Sequence, residues 1–319
     1  MSFIGIEESY NRIKNFVNNT PIMTSRSLNS LVQAEVYLKC ENFQRVGAFK
    51  FRGAFNALNL LSKEEKKRGV ITHSSGNHAQ AVALASSLLN IQATIVMPKG
   101  APLNKINATK EYGADIVFCD NTLEARTRTT DHLITKNNYI LIHPYDNDHV
   151  INGQGTAAYE LIKEEGEFDI IIAPLGGGGL LSGTALATKG LCPKAQVFGV
   201  EPILADDALR SIQSGHIIPS TYPNTIADGL RTSICERTFH IIQKYVDKIL
   251  TVSEMEIIDA MRFLWERMKI IVEPSGAVPL AALLSVKIKI KDKKVGLILS
   301  GGNIDIEPFF HLLKERVLK

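Results

Sequence analysis

The chain has 319 residues, of which 45% are hydrophobic and 22% charged, and 36 Lys and Arg stand against 33 Asp and Glu for a formal net charge of +3. This composition excludes a disordered chain, and interspersed charges that nearly cancel give no field able to recruit nucleic acid or a membrane surface. Chains longer than about 250–300 residues favour division into two lobes, and small molecules are the expected partners.

The N-terminal MSFIGIEESYNRIKNF breaks its apolar positions with charges, unlike a secretion signal. No apolar run approaches the about 18 residues of a membrane helix, so a cytoplasmic protein is expected. Strand candidates follow in chain order: Glu35–Lys39, Gly69–Thr72, Ala93–Met97, Asp115–Phe118, Asp169–Ala173, Val197–Val200 and Val295–Leu299. Such β-branched runs alternate with amphipathic stretches, which predicts an α/β protein with parallel sheets covered by helices on both faces. The series GVIT, ATIVM, DIVF and YILIH predicts a small domain at 69–146 inserted into a larger one of 1–68 and 147–319. Cys40, Cys119, Cys192 and Cys235 lie far apart with no CxxC pair, which predicts free thiols rather than a zinc site or disulfides.

Ligands of open parallel sheets bind beyond the carboxyl ends of the strands, and four such places are chemically unusual. Lys50 sits between Phe49 and Phe51 near a helix start, where an amine can lose solvation and drop in pKa, as a Schiff-base lysine requires; taken alone it reads more readily as a surface lysine. After GVIT, Ser74, Ser75, Asn77 and His78 open a small-residue helix whose bare N–H groups suit a carboxylate, although Ser and Asn also serve as ordinary caps. After DIIIA come Gly176, Gly177, Gly178 and Gly179, which strip one patch of side chains so that backbone amides can approach a phosphate. Their spacing is neither GxGxxG nor GxxxxGK[ST], so a single phosphate group is expected rather than a nucleotide. After VGLIL, Ser300 opens a Ser-Gly-Gly-Asn turn in which it serves as a cap or aims its hydroxyl at a ring nitrogen.

In this order the four elements resemble the fold type II pyridoxal-phosphate family of serine/threonine dehydratases and serine racemases. The likeness runs almost end to end, through VGAFKFRGA, THSSGNHAQA, APLGGGGLLSG, GVEPILADD, IADGLRTS, VEPSGAV and LSGGN. Ser75 is similar to the serine racemase-like branch, which carries Ser-Ser-Gly-Asn-His where many simple dehydratases have Ser-Ala-Gly-Asn-His. The resemblance implies a tryptophan synthase β-like fold of two three-layer, parallel-sheet domains with the active site between them. It implies pyridoxal 5'-phosphate on Lys50, which later takes the α-proton of the substrate. Phe49 would pack by the ring, Asn77 would bond the ring hydroxyl, Gly176–Gly179 would bind the phosphate, Glu273 would lie near the cofactor and Ser300 would face the pyridine nitrogen. A neutral hydroxyl at that nitrogen leaves the ring a weaker electron sink, which favours elimination or reprotonation over transamination. Ser74, Ser75, Asn77 and His78 would cradle the substrate carboxylate, Arg126 would stand near the substrate, and Ser75 would act as a second base opposite Lys50.

The resemblance also implies magnesium, calcium or manganese held by Glu201, Asp207 and the Ala205 carbonyl, an all-oxygen set suited to a hard cation. Without the family pattern these residues read as the acidic start of a helix. The implied reaction converts small 3-hydroxy amino acids, L-threonine and L-serine, to 2-oxo acids and ammonia. Serine racemisation and dehydration of threo-3-hydroxyaspartate are the alternatives within the enzyme class, and a pyridoxal-phosphate-binding protein without turnover is the alternative outside it. A homodimer is expected from the family. Arg45-Val46 replaces the Lys-Thr of mammalian-type racemases in a region linked to ATP activation, and the chain stops soon after the LSGGN helix; neither nucleotide activation nor isoleucine feedback is expected.

Overall fold

Runs such as Ile170–Pro174, buried along their whole length, are stable only where helices cover both faces of a sheet. The structure, a computed structural model, describes residues 2–101, 103–221, 223–285 and 287–314. Its strands are β1 (Ile22–Met23), β2 (Glu35–Cys40), β3 (Val70–His73), β4 (Ala93–Pro98), β5 (Asp115–Cys119), β6 (Ile140–Leu141), β7 (Ile170–Pro174), β8 (Gln196–Pro202), β9 (Lys248–Val252) and β10 (Lys294–Leu299). They form a six-stranded sheet ordered β1-β2-β10-β7-β8-β9 and a four-stranded sheet ordered β5-β4-β3-β6. Every pairing is parallel except that of β1 with β2.

Side chains divide by strand alternation. Ile170 and Ile172 of β7 join one apolar cluster with Val295 and Leu297 of β10, while Ile171 and Ala173 join another with Ile298. In the four-stranded sheet Val70 and Ile95 face one cluster, and Ile71 and Val96 face the other. Both sheets are therefore middle layers, the fold class expected. The seven strand candidates are all present. The two that the sequence reading misses, β1 and β9, are the edges of the larger sheet. β1 has only two residues, and β9 alternates exposed and buried positions instead of forming a continuous apolar run. Cys40, Cys119 and Cys192 are buried, Cys235 is half-buried, and all are free. Among the described residues no helix is long and apolar enough to cross a membrane.

The helix Lys50–Asn59 bridges the two sheets. Phe51, Phe55 and Leu58 pack in the core of the four-stranded sheet with Val70 and Ile95, while Arg52 reaches the other way. Arg52 is fully buried, with Nε and Nη2 on Glu41 at 2.7 and 2.8 Å and Nη1 and Nη2 on Glu160 at 2.7 Å each. Lys39 Nζ completes the cluster, 2.8 Å from both Glu160 Oε2 and the Thr20 carbonyl oxygen. Two buried cations and two buried carboxylates thus pair with one another. Burial by itself would lower the Arg52 pKa, but Glu41 and Glu160 hold it raised. Arg52→Met leaves two buried carboxylates short of a partner and is expected to cost about 3–5 kcal/mol in urea unfolding. A loss below about 1 kcal/mol, the range of an exposed pair, would contradict that reading.

Candidate active site

The carboxyl ends of β3, β7 and β10 open onto one cleft of about 340 Å3 between the sheets. Ser74, Ser75, Asn77 and His78 form one wall beyond β3; Gly176–Gly179 and Ser300 form the other beyond β7 and β10. Phe49, Lys50, Arg126 and Glu273 complete it, so every residue read from the sequence for cofactor and substrate lines the same cleft.

Lys50 heads its helix with Nζ 5.0 Å from the Phe49 ring centroid and donating to the Pro144 carbonyl oxygen at 3.1 Å. Burial lowers its pKa to about 8, against an upward pull from Glu273. Glu273 is itself buried, and burial, reinforced by Asp228, pushes its pKa up to about 7. Asn77 Nδ2 donates to both Glu273 oxygens, at 2.8 and 3.2 Å. Asn77 Oδ1 accepts from Asn303 Nδ2 at 2.9 Å, and the same nitrogen donates to the Val46 carbonyl oxygen at 2.6 Å. Asn77 is thus fixed at both ends. Asn303, the last residue of the Ser-Gly-Gly-Asn turn, is the orienting partner that the sequence reading assigned no role.

The glycine cradle is dictated by crowding more than by backbone angle. Only Gly178 has a left-handed conformation, with φ of +86°. A Cβ on Gly176 would lie 2.9 Å from the Leu230 Cα, one on Gly177 2.4 Å from the Tyr145 ring, and one on Gly179 2.7 Å from Gln154 Oε1. Side chains cannot enter, and the first turn of the helix Gly179–Leu191 presents its N–H groups to the cleft, as a phosphate requires.

His73, His143 and Tyr145 also line the cleft and went unassigned. His143 packs edge-on to His73 at 5.9 Å and to Tyr145 at 4.7 Å. His143 Nδ1 accepts the Asp146 N–H at 2.8 Å, and burial followed by His73 lowers its pKa to about 4. Burial also lowers His73 and sets His78, whose Nε2 meets the Ile142 carbonyl oxygen at 2.9 Å, well below the ordinary value. These histidines are neutral at pH 7. Arg126 supplies a fixed positive charge in the cleft and has no carboxylate partner among the described residues. The HPYD that follows YILI is a signal for His143 and Tyr145, because it too lies beyond the carboxyl end of a strand, β6.

Glu201, Ala205 and Asp207 stand outside this cleft, at the end of β8 and the start of the helix Asp207–Ser214. Both carboxylates are buried. Burial raises Glu201 well above its ordinary pKa, with Asp207 adding to the rise, and raises Asp207 to about 6. Asp207 Oδ2 is buried without a hydrogen-bond partner, whereas Asp206 turns away to Arg210 at 2.7 Å. Two buried like charges and an orphaned oxygen fit a cation. No group of three or more His, Cys, Asp or Glu poised to hold a metal occurs among the described residues, so a third donor here would be a carbonyl such as that of Ala205.

A lysine with a near-neutral amine facing a bare phosphate cradle defines a pyridoxal-phosphate site. The family model described as pyridoxal-phosphate dependent enzyme matches residues 13–301, and the chain belongs to that family. It is 51% identical over 307 residues to L-threo-3-hydroxyaspartate ammonia-lyase of Saccharomyces cerevisiae, covering 96% of this chain and 94% of that one. It is 48% identical over 305 residues to serine racemase of Schizosaccharomyces pombe, covering 95% and 94%. The crystal structure of serine racemase from Dictyostelium discoideum has a TM-score of 0.91 at 47% identity, covering 96% of this chain and 99% of that chain. The fold type II family read from the motifs is therefore correct.

A lowered lysine pKa means that the neutral, reactive amine accumulates as pH rises through about 8 instead of 10.5. In cofactor-free protein, acylation of Lys50 followed by mass spectrometry is expected to have its midpoint near pH 8. Glu273→Gln removes the upward pull and shifts the midpoint lower. Acylation of Lys50 in step with surface lysines would refute the electrostatics described.

Proposed function

We propose that this enzyme is an ammonia-lyase of small 3-hydroxy amino acids, L-serine and L-threonine, which it converts to 2-oxo acids and ammonia. The observation that carries the reading is Lys50, a lysine with a pKa of about 8, facing a hydroxyl-lined helix N-terminus across a glycine cradle. In this reading Gly176–Gly179 hold the cofactor phosphate through backbone N–H groups, Phe49 and Asn77 hold the ring, Glu273 orients Asn77, and Ser300 faces the ring nitrogen. When bound, pyridoxal phosphate supplies the electron sink that acidifies the substrate α-C–H. Ser74, Ser75 and the first N–H groups of the helix Asn77–Leu88 receive the α-carboxylate, with neutral His78 as a further polar contact. Lys50 Nζ accepts the α-proton; a near-neutral pKa suits both taking that proton and returning it. The 3-hydroxyl leaves as water, and water re-enters as ammonia departs. Ser75 Oγ serves the opposite face, so proton return from that side gives the D-isomer as a secondary product. The unit 69–146 carries the substrate wall, and 1–68 with 147–319 carries the cofactor wall.

Arg126 favours a second reading, a 3-hydroxy amino acid with a carboxylate at its far end, because an arginine without a carboxylate partner in a cleft suits a second carboxylate. The S. cerevisiae relative is named for such a substrate. Proton NMR of the purified protein with L-serine, L-threonine and L-threo-3-hydroxyaspartate in deuterated buffer, followed by chiral analysis, ranks these readings. Accumulation of 2-oxo acid with little D-isomer is expected, whereas α-deuteration with D-serine as the main product would make the enzyme a racemase. Ser75→Ala is expected to abolish D-isomer formation and spare elimination from the L-isomer. Arg126→Ala loses a charge-assisted contact of about 1.5–3 kcal/mol and should raise KM for the dicarboxylic substrate roughly 10–100-fold while sparing L-serine. Equal effects on both substrates would remove Arg126 from specificity.

A magnesium, calcium or manganese ion on Glu201, Asp207 and the Ala205 carbonyl would act structurally, offsetting the repulsion of the two buried carboxylates. Chelation with EDTA is expected to lower the Tm, magnesium to restore it, and Asp207→Asn to remove that response. A Tm indifferent to EDTA and magnesium would exclude the ion.

A further inference from the structure

The helix Asp148–Glu165 lies between the two helices that begin in the cleft, Lys50–Asn59 and Gly179–Leu191. Both contacts are seams of glycine. A Cβ on Gly53 would lie 2.7 Å from the Val150 carbonyl oxygen, and one on Gly153 2.5 Å from the Arg52 carbonyl oxygen. On the other flank a Cβ on Gly155 would lie 2.7 Å from the Gly183 carbonyl oxygen, and one on Gly183 2.5 Å from the Ile151 carbonyl oxygen. Backbones packed this closely leave no room to slide, so this central helix sets the separation between Lys50 and the cradle.

Gln154 lies between Gly153 and Gly155 and is wholly buried. Its Nε2 donates to the Pro144 carbonyl oxygen at 3.2 Å, the same oxygen that accepts from Lys50 Nζ. Its Oε1 has no hydrogen-bond partner and lies 2.7 Å from the position a Cβ on Gly179 would take. A buried acceptor without a partner is tolerated only where the residue's other contacts over-determine its place. We propose that Gln154 is a positioning residue that couples the seat of Lys50 to the phosphate cradle, one end of its amide holding the Pro144 carbonyl and the other packed behind Gly179 of the cradle. This rests on the cofactor reading and deepens it. With Gln154 present, the Pro144 carbonyl keeps a donor when the Lys50 amine turns to the cofactor. Without it, that half-buried carbonyl depends on Lys50 alone and competes with cofactor uptake. At the cradle a neutral amide tolerates a phosphate dianion, whereas a carboxylate of the same shape repels it.

Equilibrium dialysis of cofactor-free protein against pyridoxal 5'-phosphate and against pyridoxal, which lacks the phosphate, tests both ends of the amide. Gln154→Met is expected to weaken both ligands alike, by roughly tenfold, the effect of one hydrogen bond. Gln154→Glu is expected to lower the preference for the phosphorylated ligand by a further tenfold or so, as a like charge within reach of the phosphate would. An unchanged preference in Gln154→Glu, or a Gln154→Met protein that binds both ligands like the parent, overturns the proposal. The preference compares two ligands on one protein, so partial unfolding does not move it. A parent protein that takes up neither ligand would overturn the cofactor reading together with this one, whereas parental uptake with unchanged variants overturns only Gln154.

Discussion

The guanidinium of Arg52, clasped by Glu41 and Glu160, is the interaction on which the geometry of this enzyme depends. Its helix is packed into the core of one sheet through Phe51, Phe55 and Leu58, yet its first turn is tied by charges to Glu41, just past the end of β2, and to the helix Asp148–Glu165. Burying two cations and two carboxylates costs several kcal/mol per ion, and an apolar cluster of equal volume would stabilise the fold as well or better. What charges add is direction, because the planar fork of arginine meets two carboxylates in one arrangement. Lys50 is two residues away, so the direction given to Arg52 is given to the amine as well.

Placed there, the amine enters a cleft in which burial brings opposite kinds of group towards the same value. Lys50 falls to about 8 and Glu273 rises to about 7, both with desolvation as the first cause. His73, His78 and His143 are driven to neutrality by the same desolvation. An anionic ligand in the cleft would therefore meet oriented N–H groups and the Arg126 guanidinium rather than imidazolium ions. Groups that change charge near neutral pH are few, which confines proton traffic to Lys50 and its neighbours.

The parts legible in the sequence obey one rule: they stand just beyond the carboxyl ends of strands recognisable by continuous apolar runs. Phe49, Lys50, Arg126 and Glu273 are the exceptions, Lys50 read from its aromatic flanks and all four from the family pattern. What stayed hidden reaches the cleft through tertiary contacts between distant segments, as Asn303 reaches Asn77 and as Gln154 reaches Pro144. His143 and Tyr145 were hidden because β6 is two residues long and gave little to mark its end. The glycines of the helix seams were visible yet uninformative one at a time. Each costs a helix about 0.5–1 kcal/mol, and only the backbone oxygen that each meets explains why no larger residue can stand there.

The buried carboxylates of Glu201 and Asp207 show how a feature outside the cleft bears upon it. β7 and β8 pair with Pro174 opposite Val200, and the Leu175 N–H is held by the Val200 carbonyl oxygen at 2.8 Å. Glu201 follows Val200 directly, and Gly176 follows Leu175. The last backbone bond before the glycine cradle is thus anchored on the strand whose next residue carries a buried carboxyl group held by the Leu209 N–H. Asp207 adds to the rise in the Glu201 pKa, so ionising both carboxylates there is unfavourable without a counter. Protonation supplies one such counter, and a hard cation, if bound, would supply another that leaves both carboxylates ionised.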